Sequence, residues 1–118
     1  MAHTLHNYLR TYRKRAGLSQ DEVAFLLGAA YGTKVSRYER RSRQPGLTTA
    51  FAYEVLFGAS ARKLFSGLFR KVEAVTVRRA RLLIRKLSAA ARDPLTARKL
   101  DLLRAITSGS VSEPGNNR

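Results

Sequence analysis

The segment of residues 9–45 constrains the fold of this chain most strongly, because helix ends and helix starts follow one another closely. Apolar residues repeat at helical spacing up to Gly17, which stands where a left-handed residue commonly closes a helix. Two residues later, Ser19 and Glu22 have the spacing of a capping box, which starts a second helix. Gly28 then ends that helix. The pattern predicts two short helices joined by a tight corner, followed by a Gly/Ala-rich turn.

The rest of the chain also has helical periodicity, and no strand pattern of any length appears. We expect Leu26 on the second predicted helix to face the interior. On the fourth predicted helix we expect the same of Phe51, Ala52, Val55 and Leu56. The predicted helices after the turn run over about Thr33–Arg41, Thr49–Phe57, a short stretch from Ser60 to Phe65, Arg70–Ala90 and Pro94–Thr107.

Changes in composition divide the chain into three parts. Residues 1–67 hold the closely spaced short helices, and residues 68–107 form a basic C-terminal helical extension. Residues 108–118 are rich in Ser, Gly and Asn and are expected to be a disordered tail. The expected architecture is therefore all-α, with a compact N-terminal domain followed by a helical pair.

The charge of the chain points to a polyanionic partner. There are 23 Lys and Arg residues against 8 Asp and Glu, a formal net charge of +15 in 118 residues. Such an excess fits nucleic acid best, with an acidic membrane surface second. The chain has no cysteine, and no apolar run approaches the roughly 20 residues that span a bilayer. We expect a cytoplasmic protein that does not bind membranes.

The third predicted helix separates into two faces on a helical wheel of about 100° per residue. Val35, Tyr38 and Glu39 fall together and are expected to face the body of the domain. The opposite half carries a hydroxyl and four cations, which would repel one another unless phosphates and base edges received them. These residues are Thr33, Lys34, Arg37, Arg40 and Arg41.

The sequence resembles the Xre/Cro/CI-type helix-turn-helix family. The resemblance extends to about Phe65 and implies a five-helix, lambda-repressor-like domain that lays its third helix in the major groove of DNA. It rests on Leu9, Arg13, Gly17-Leu18-Ser19-Gln20, Val23-Ala24, Leu27-Gly28, Val35-Ser36-Arg37, Glu39 and Pro45.

The resemblance also implies roles for individual side chains. Gln20 would hydrogen-bond a phosphate and brace a base-contacting side chain, and Ser36 would meet the DNA backbone. Arg13 and Glu39 would pair across the first and third helices as a structural ion pair. The chain departs from the family pattern in a turn one residue longer than usual before Val35. It departs again at Arg41, which occupies a common glycine position, so we expect the third helix to run on slightly.

Within this arrangement we assign the candidate contacts with DNA. Arg37 lies at the centre of the cationic face and is the choice for a bidentate contact with guanine. Tyr31, in the turn, is a further candidate DNA contact. The other base contacts are Thr33 and Lys34, and the phosphate contacts are Gln20, Ser36, Arg40, Arg41 and Arg43.

The C-terminal extension is as basic as the N-terminal domain, and its apolar stripes are helical. It suits dimerisation, a second DNA-contact surface or a docking site for another protein, and the first two are compatible. The cations of this part are Arg70, Lys71, Arg78, Arg79, Arg81, Arg85, Lys86, Arg92, Arg98, Lys99 and Arg104.

Enzyme chemistry is not expected. His3 and His6 are the only histidines and have no carboxylate or thiolate beside them, the acidic residues form no pair, and no phosphate-binding glycine loop appears. No cofactor or metal is therefore expected. The sequence predicts a dimeric, sequence-specific double-stranded DNA-binding transcriptional regulator, with repression as the expected sign. The alternatives are a protein-binding antagonist or antitoxin-like protein built on the same fold, and a non-specific nucleic-acid-binding factor.

Overall fold

The computed structural model describes residues 6–89 and 93–109, and over these residues all of the regular secondary structure is helical. The all-α fold class is thereby confirmed. In these ranges the helices are α1 (Leu9–Ala16), α2 (Gln20–Leu27), α3 (Gly32–Glu39), α4 (Leu47–Phe57), α5 (Ala61–Leu64), α6 (Ser66–Ser88) and α7 (Pro94–Thr107).

The chain divides into two compact units between Arg70 and Lys71, three residues after the boundary expected from composition. Both positions fall inside α6, which begins at Ser66 rather than at Arg70. Gly67 lies within this helix, and its N–H donates to the carbonyl of His6 at 2.8 Å. The glycine therefore helps to tie α6 to the segment before α1.

The N-terminal unit is built around the ring of Tyr53, which is 1% exposed. The rings of Tyr38, Phe57 and Phe65 lie 5.9 to 6.3 Å from it, at the distances of favourable aromatic pairs. The buried side chains of this core come from five different helices and the residue that follows α5. They are Leu9, Val23, Ala24, Val35, Tyr38, Tyr53, Leu64 and Phe65.

The corner between α1 and α2 has the expected chemistry. Gly17 has a φ of 76° and closes α1, a left-handed conformation that residues with a Cβ rarely adopt. The Ser19 hydroxyl accepts from the Glu22 N–H at 3.0 Å, while the Glu22 carboxylate accepts from the Ser19 N–H at 2.8 Å. This capping box fixes the start of α2 directly after the end of α1.

The predicted inner faces of α2 and α4 are partly wrong. Phe51 is 55% exposed and Val55 is 85% exposed, while Tyr53 takes the buried position on α4. Leu26 on α2 is 52% exposed as well. The sequence of α4 is apolar almost all the way round, so its periodicity does not single out one face. The fit of the Tyr53 ring among the other aromatic side chains decides the rotation of the helix.

The C-terminal unit buries few side chains. Ala80 on α6 and Thr96 and Leu100 on α7 are buried, each at 5 to 9% exposure. Asp93 starts α7 as its N-cap, with its carboxylate accepting from the Thr96 N–H at 2.7 Å, and Pro94 occupies the first helical position. The expected disordered tail lies outside the described residues, apart from Ser108 and Gly109.

Candidate nucleic-acid interface

Helix α3 has one buried face and one exposed face, as its sequence predicts. Val35 is 0% exposed, Tyr38 is 6% exposed and Glu39 is 7% exposed. These side chains fix the rotation of α3 about its own axis, because two are packed in the core and the third is paired. The exposed side chains are those of Thr33, Lys34, Arg37 and, just after the helix, Arg40.

The end of α3 differs from the prediction that the helix runs on through Arg41. The helix ends at Glu39, and Arg41 has a φ of 64°, the left-handed conformation that usually calls for glycine. The Arg41 N–H donates to the carbonyl of Tyr38, and the Ser42 N–H donates to the carbonyl of Arg37. These two bonds form a Schellman motif. The fold therefore imposes the glycine-type end despite the Cβ of Arg41.

The start of α3 is held by the preceding helix rather than by its own N-cap. Tyr31 occupies the N-cap position, and its side chain makes no capping hydrogen bond. Instead, Asp21 on α2 accepts from the Gly32 N–H at 2.9 Å. A Cβ on Gly32 would lie 2.6 Å from that carboxylate oxygen and 3.0 Å from the Asp21 nitrogen. The turn thus brings the start of α3 so close to α2 that only glycine fits.

Arg13, Glu39 and Gln20 connect the first three helices. The Arg13 guanidinium donates to both Glu39 carboxylate oxygens, at 2.6 and 3.1 Å, and to the Leu18 carbonyl at 3.0 Å. The Gln20 amide donates to Glu39 at 3.1 Å. The hydrogen bonds with Glu39 raise the pKa of Arg13 above its usual value. The pair implied by the family resemblance is therefore present, and one N–H of Gln20 serves this network.

An open cleft of about 1040 Å³ lies where α1, the start of α2 and α3 meet. The N-termini of α2 and α3 both border it, and the positive ends of helix dipoles favour anions. Its lining residues are His6, Asn7, Arg10, Thr11, Arg13, Lys14, Ser19, Gln20, Asp21, Gly32, Thr33, Ser36, Glu39, Arg40 and Arg41.

The charges in the cleft are unbalanced. The carboxylate of Glu39 is paired with Arg13, and that of Asp21 accepts from the Gly32 N–H. No carboxylate among the described residues forms an ion pair with the four other cations of the cleft. These are Arg10, Lys14, Arg40 and Arg41. The cleft is therefore suited to receive an anionic group such as a phosphate.

The predicted contact residues fall into two groups. One group lines the cleft: Gln20, Thr33, Ser36, Arg40 and Arg41. The other lies on exposed surface outside it: Tyr31, Lys34, Arg37 and Arg43. Tyr31 is 75% exposed.

Helix α1 and the residues before it contribute to the cleft, which was not predicted from the sequence. Arg10 and Lys14 stand four residues apart on α1, and both are exposed at the cleft. Asn7 donates to the Tyr38 carbonyl at 3.0 Å and accepts from the Leu9 N–H at 3.1 Å, so it joins the start of α1 to the end of α3. The cationic pair at i and i+4 is a signal that could have been found. The bond between Asn7 and Tyr38, 31 residues apart, has no such local signal.

Comparison with known proteins identifies the N-terminal unit. Residues 9–64 match the helix-turn-helix family model. The matched family is the Xre/Cro/CI-type helix-turn-helix family, and further helices follow the matched segment. The match supports a DNA-binding regulator, a class that is typically non-enzymatic. No curated protein and no solved structure matches the chain significantly.

Two further features bear on other classes of function. Within residues 6–89 and 93–109, no three His, Cys, Asp or Glu side chains are grouped so that they could hold a metal ion. Over the same ranges, no helix combines the length and apolar character needed to cross a membrane.

Proposed function

We propose that the protein is a sequence-specific double-stranded DNA-binding transcriptional regulator that reads the major groove with α3. The observation that carries this proposal is the division of α3 into a sealed inner face and an open cationic face. The inner face is fixed by Val35, Tyr38 and the Arg13–Glu39 pair. An α-helix fits the major groove of DNA. Readout of base edges there requires a helix that is held rigidly and that has free cations on its exposed face.

The proposed contacts divide into base readout and backbone clamping. Thr33, Lys34 and Arg37 lie on the exposed face of α3 and are the base-contacting set, with Tyr31 beside them as a further candidate. Phosphates bind in and around the cleft, where the N–H groups at the start of α2 add to the positive charge. The phosphate contacts are Gln20, Ser36, Arg40, Arg41 and Arg43, joined by Arg10 and Lys14.

The regulatory action proposed is steric repression by a cytoplasmic homodimer. A protein bound over a promoter blocks polymerase without any chemical step, so the proposal needs no cofactor. Two copies bind two half-sites about one helical turn apart, which fixes the spacing of the operator.

For residues 68–107 we propose a second contact with DNA phosphates. On a wheel of about 100° per residue, the exposed cations of α6 fall within one half of the helix, whereas the half-buried Val77, Ile84 and Leu87 and the buried Ala80 fall within the other half. They are Arg70, Lys71, Arg78, Arg79, Arg81, Arg85 and Lys86. A variant with alanine at positions 78, 81 and 85 should lower the salt dependence of binding by about 0.9 per lost phosphate contact and leave base preference unchanged.

The first experiment is selection of binding sites from a random duplex library at about 150 mM salt, where bulk electrostatics are screened. We expect an enriched palindromic or directly repeated motif, bound at least about 10³-fold more tightly than bulk DNA. Absence of a motif, together with binding that vanishes as salt rises, would refute sequence-specific regulation and leave the non-specific nucleic-acid-binding factor and the protein-binding antagonist as the alternatives.

A single substitution then tests the reading face. Arg37→Ala should cost about 1–3 kcal/mol of binding and relax preference at one base pair. Lys63→Ala removes the same charge from an exposed position on α5 and is the matched control. Biological activity that survives Arg37→Ala unchanged would favour the alternative of a protein-binding antagonist.

A further inference from the structure

Helix α4 presents an apolar stripe to solvent. Leu47, Phe51 and Val55 are 70%, 55% and 85% exposed. They lie at i, i+4 and i+8, so they fall on one side of the helix and follow one another along it. Contiguous apolar patches on a folded monomer commonly mark contact surfaces.

The stripe lies on a helix that carries no cation. Its single charged residue is Glu54, whose carboxylate already accepts from the Ala61 N–H at 3.1 Å. Helices α1, α3 and α5 carry exposed cations and cannot meet a second copy as easily, because each copy has a net charge of +15. Helix α2 also lacks cations and exposes Phe25 and Leu26, but its first turn lines the cleft proposed to bind DNA. Like charges brought together at an interface are strongly unfavourable. An uncharged face is where two such chains can approach.

We infer that the α4 stripe is the contact surface for a second copy of this chain. The stripe is symmetric about Phe51, with Leu47 four residues before it and Val55 four residues after it. Two antiparallel copies of α4 related by a two-fold axis at Phe51 bring Leu47 of one copy against Val55 of the other. Such a self-complementary patch is what a two-fold interface requires.

The size of the stripe determines how strong this dimer is. A single helix face is smaller than the roughly 800 Å² per partner of a standard stable interface. The free protein therefore exchanges between monomer and dimer at micromolar concentrations or above. Two copies on neighbouring half-sites have a high effective concentration, so DNA completes the dimer. The inference specifies the interface of the proposed homodimer, but its test requires no DNA.

Sedimentation equilibrium of the full chain, over about 1 μM to 1 mM, measures the dimer directly. Val55→Lys should weaken dimerisation on the order of 100-fold or more, because the two-fold axis removes the contact twice and buries two added charges. The matched control is Leu102→Lys on α7, where the wild-type side chain is 63% exposed. Both variants should keep the helical circular dichroism of the wild type, since neither residue is in the core.

Cysteine pairs test the register of the two helices. The chain has no cysteine of its own, so introduced thiols report only the designed contacts. An equimolar mixture of Leu47→Cys and Val55→Cys chains should form a disulfide-linked pair faster than either variant alone. In an antiparallel pair these Cα atoms lie within the roughly 4.4–6.8 Å that a disulfide spans, whereas identical positions are far apart.

Three results would overturn the inference. They are a wild type that remains monomeric at 1 mM, a Val55→Lys variant that dimerises like the wild type, and a mixture that cross-links no faster than its components. If Leu102→Lys dissociated the dimer and Val55→Lys did not, the interface would lie on the C-terminal helices instead. The proposed function fails separately, because a dimer formed through α4 that selects no DNA motif would refute sequence-specific regulation and leave this interface standing.

Discussion

The two units of the chain differ in how they are stabilised. The N-terminal unit has an aromatic centre at Tyr53, surrounded by buried side chains from every helix up to α5. The C-terminal unit buries one alanine, one threonine and one leucine among its described residues. Since burial of apolar surface provides most of the folding free energy, the N-terminal unit holds most of the stability of the chain.

This difference shows how a small basic protein distributes its charges. In the N-terminal unit, a dense core and one buried ion pair tolerate a cleft of unpaired cations. In the C-terminal unit, exposed cations cover one half of α6 with little core beneath them. We expect the first unit to keep a fixed geometry for readout, and the second to be the part that opens first when the protein is heated.

The largest effect is expected at the buried ion pair. Glu39→Ala leaves the Arg13 side chain, 11% exposed, without its carboxylate partner. The free energy of unfolding, measured by chemical denaturation, should fall by about 3–5 kcal/mol. Asp101→Ala removes an exposed acid from α7 and should change stability by less than about 0.5 kcal/mol. Replacing both members of the pair, Arg13→Met with Glu39→Leu, should recover much of the loss. If Glu39→Ala and Asp101→Ala lowered the free energy of unfolding equally, the expected difference in stability between the two units would be contradicted.

The next effect compares the two cores directly. Leu64→Ala, at a residue that is 0% exposed, should lower the unfolding free energy by about 2–5 kcal/mol. Leu100→Ala should instead accelerate amide hydrogen exchange only in α7 and the end of α6, because that region opens locally. The measurement is hydrogen exchange read by mass spectrometry on both variants. Acceleration throughout the chain by Leu100→Ala would mean that the two units unfold together.

A smaller and opposite effect is expected at Arg41. Arg41→Gly relieves the left-handed conformation and should raise stability by about 1 kcal/mol. Under the proposed function, the same change should lower the salt slope of DNA binding by about 0.9, because the proposed phosphate contact of Arg41 would be lost. Arg43→Gly removes the same charge, but φ is not positive at this position, so it should weaken DNA binding without the gain in stability. A loss of stability in Arg41→Gly would show that the arginine side chain contributes more packing than its backbone conformation costs.

The smallest effect concerns pH and the C-terminal unit alone. Hydrogen bonding from Thr96 lowers the pKa of Asp93 below its ordinary value of 3.8. The cap therefore stabilises α7 fully above that value and loses its effect as the pH falls through the lowered pKa. Helical circular dichroism should fall slightly in this range, whereas Asp93→Asn, which caps without titrating, should abolish this step. A step of the same size in the asparagine variant would assign it to another group.

The elements that local chemistry specifies were predictable from the sequence. Gly17 and Gly28 end α1 and α2, and the Ser19–Glu22 capping box starts α2. Each of these signals acts within four residues, so no knowledge of packing is needed. The inner face of α3 was also readable, because Val35, Tyr38 and Glu39 stand out on an otherwise polar helix.

The features that depend on contacts between distant residues were not predictable. The hydrogen bond from the Gly32 N–H to the Asp21 carboxylate spans eleven residues, and no local sequence pattern predicts it. The rotation of α4 is set by the ring of Tyr53, which the uniform apolar character of that helix conceals. The left-handed Arg41 contradicts its local preference, since two backbone hydrogen bonds at the end of α3 outweigh it.

The separation of faces on α3 has an evolutionary consequence. Positions 33, 34 and 37 are exposed, whereas positions 35, 38 and 39 are fixed by packing and pairing. Mutations at the exposed positions can therefore accumulate with little loss of stability. Under the proposed function, a lineage with this scaffold can therefore drift to new DNA sites, and a library randomised at only these three codons would be a compact starting point for retargeting it.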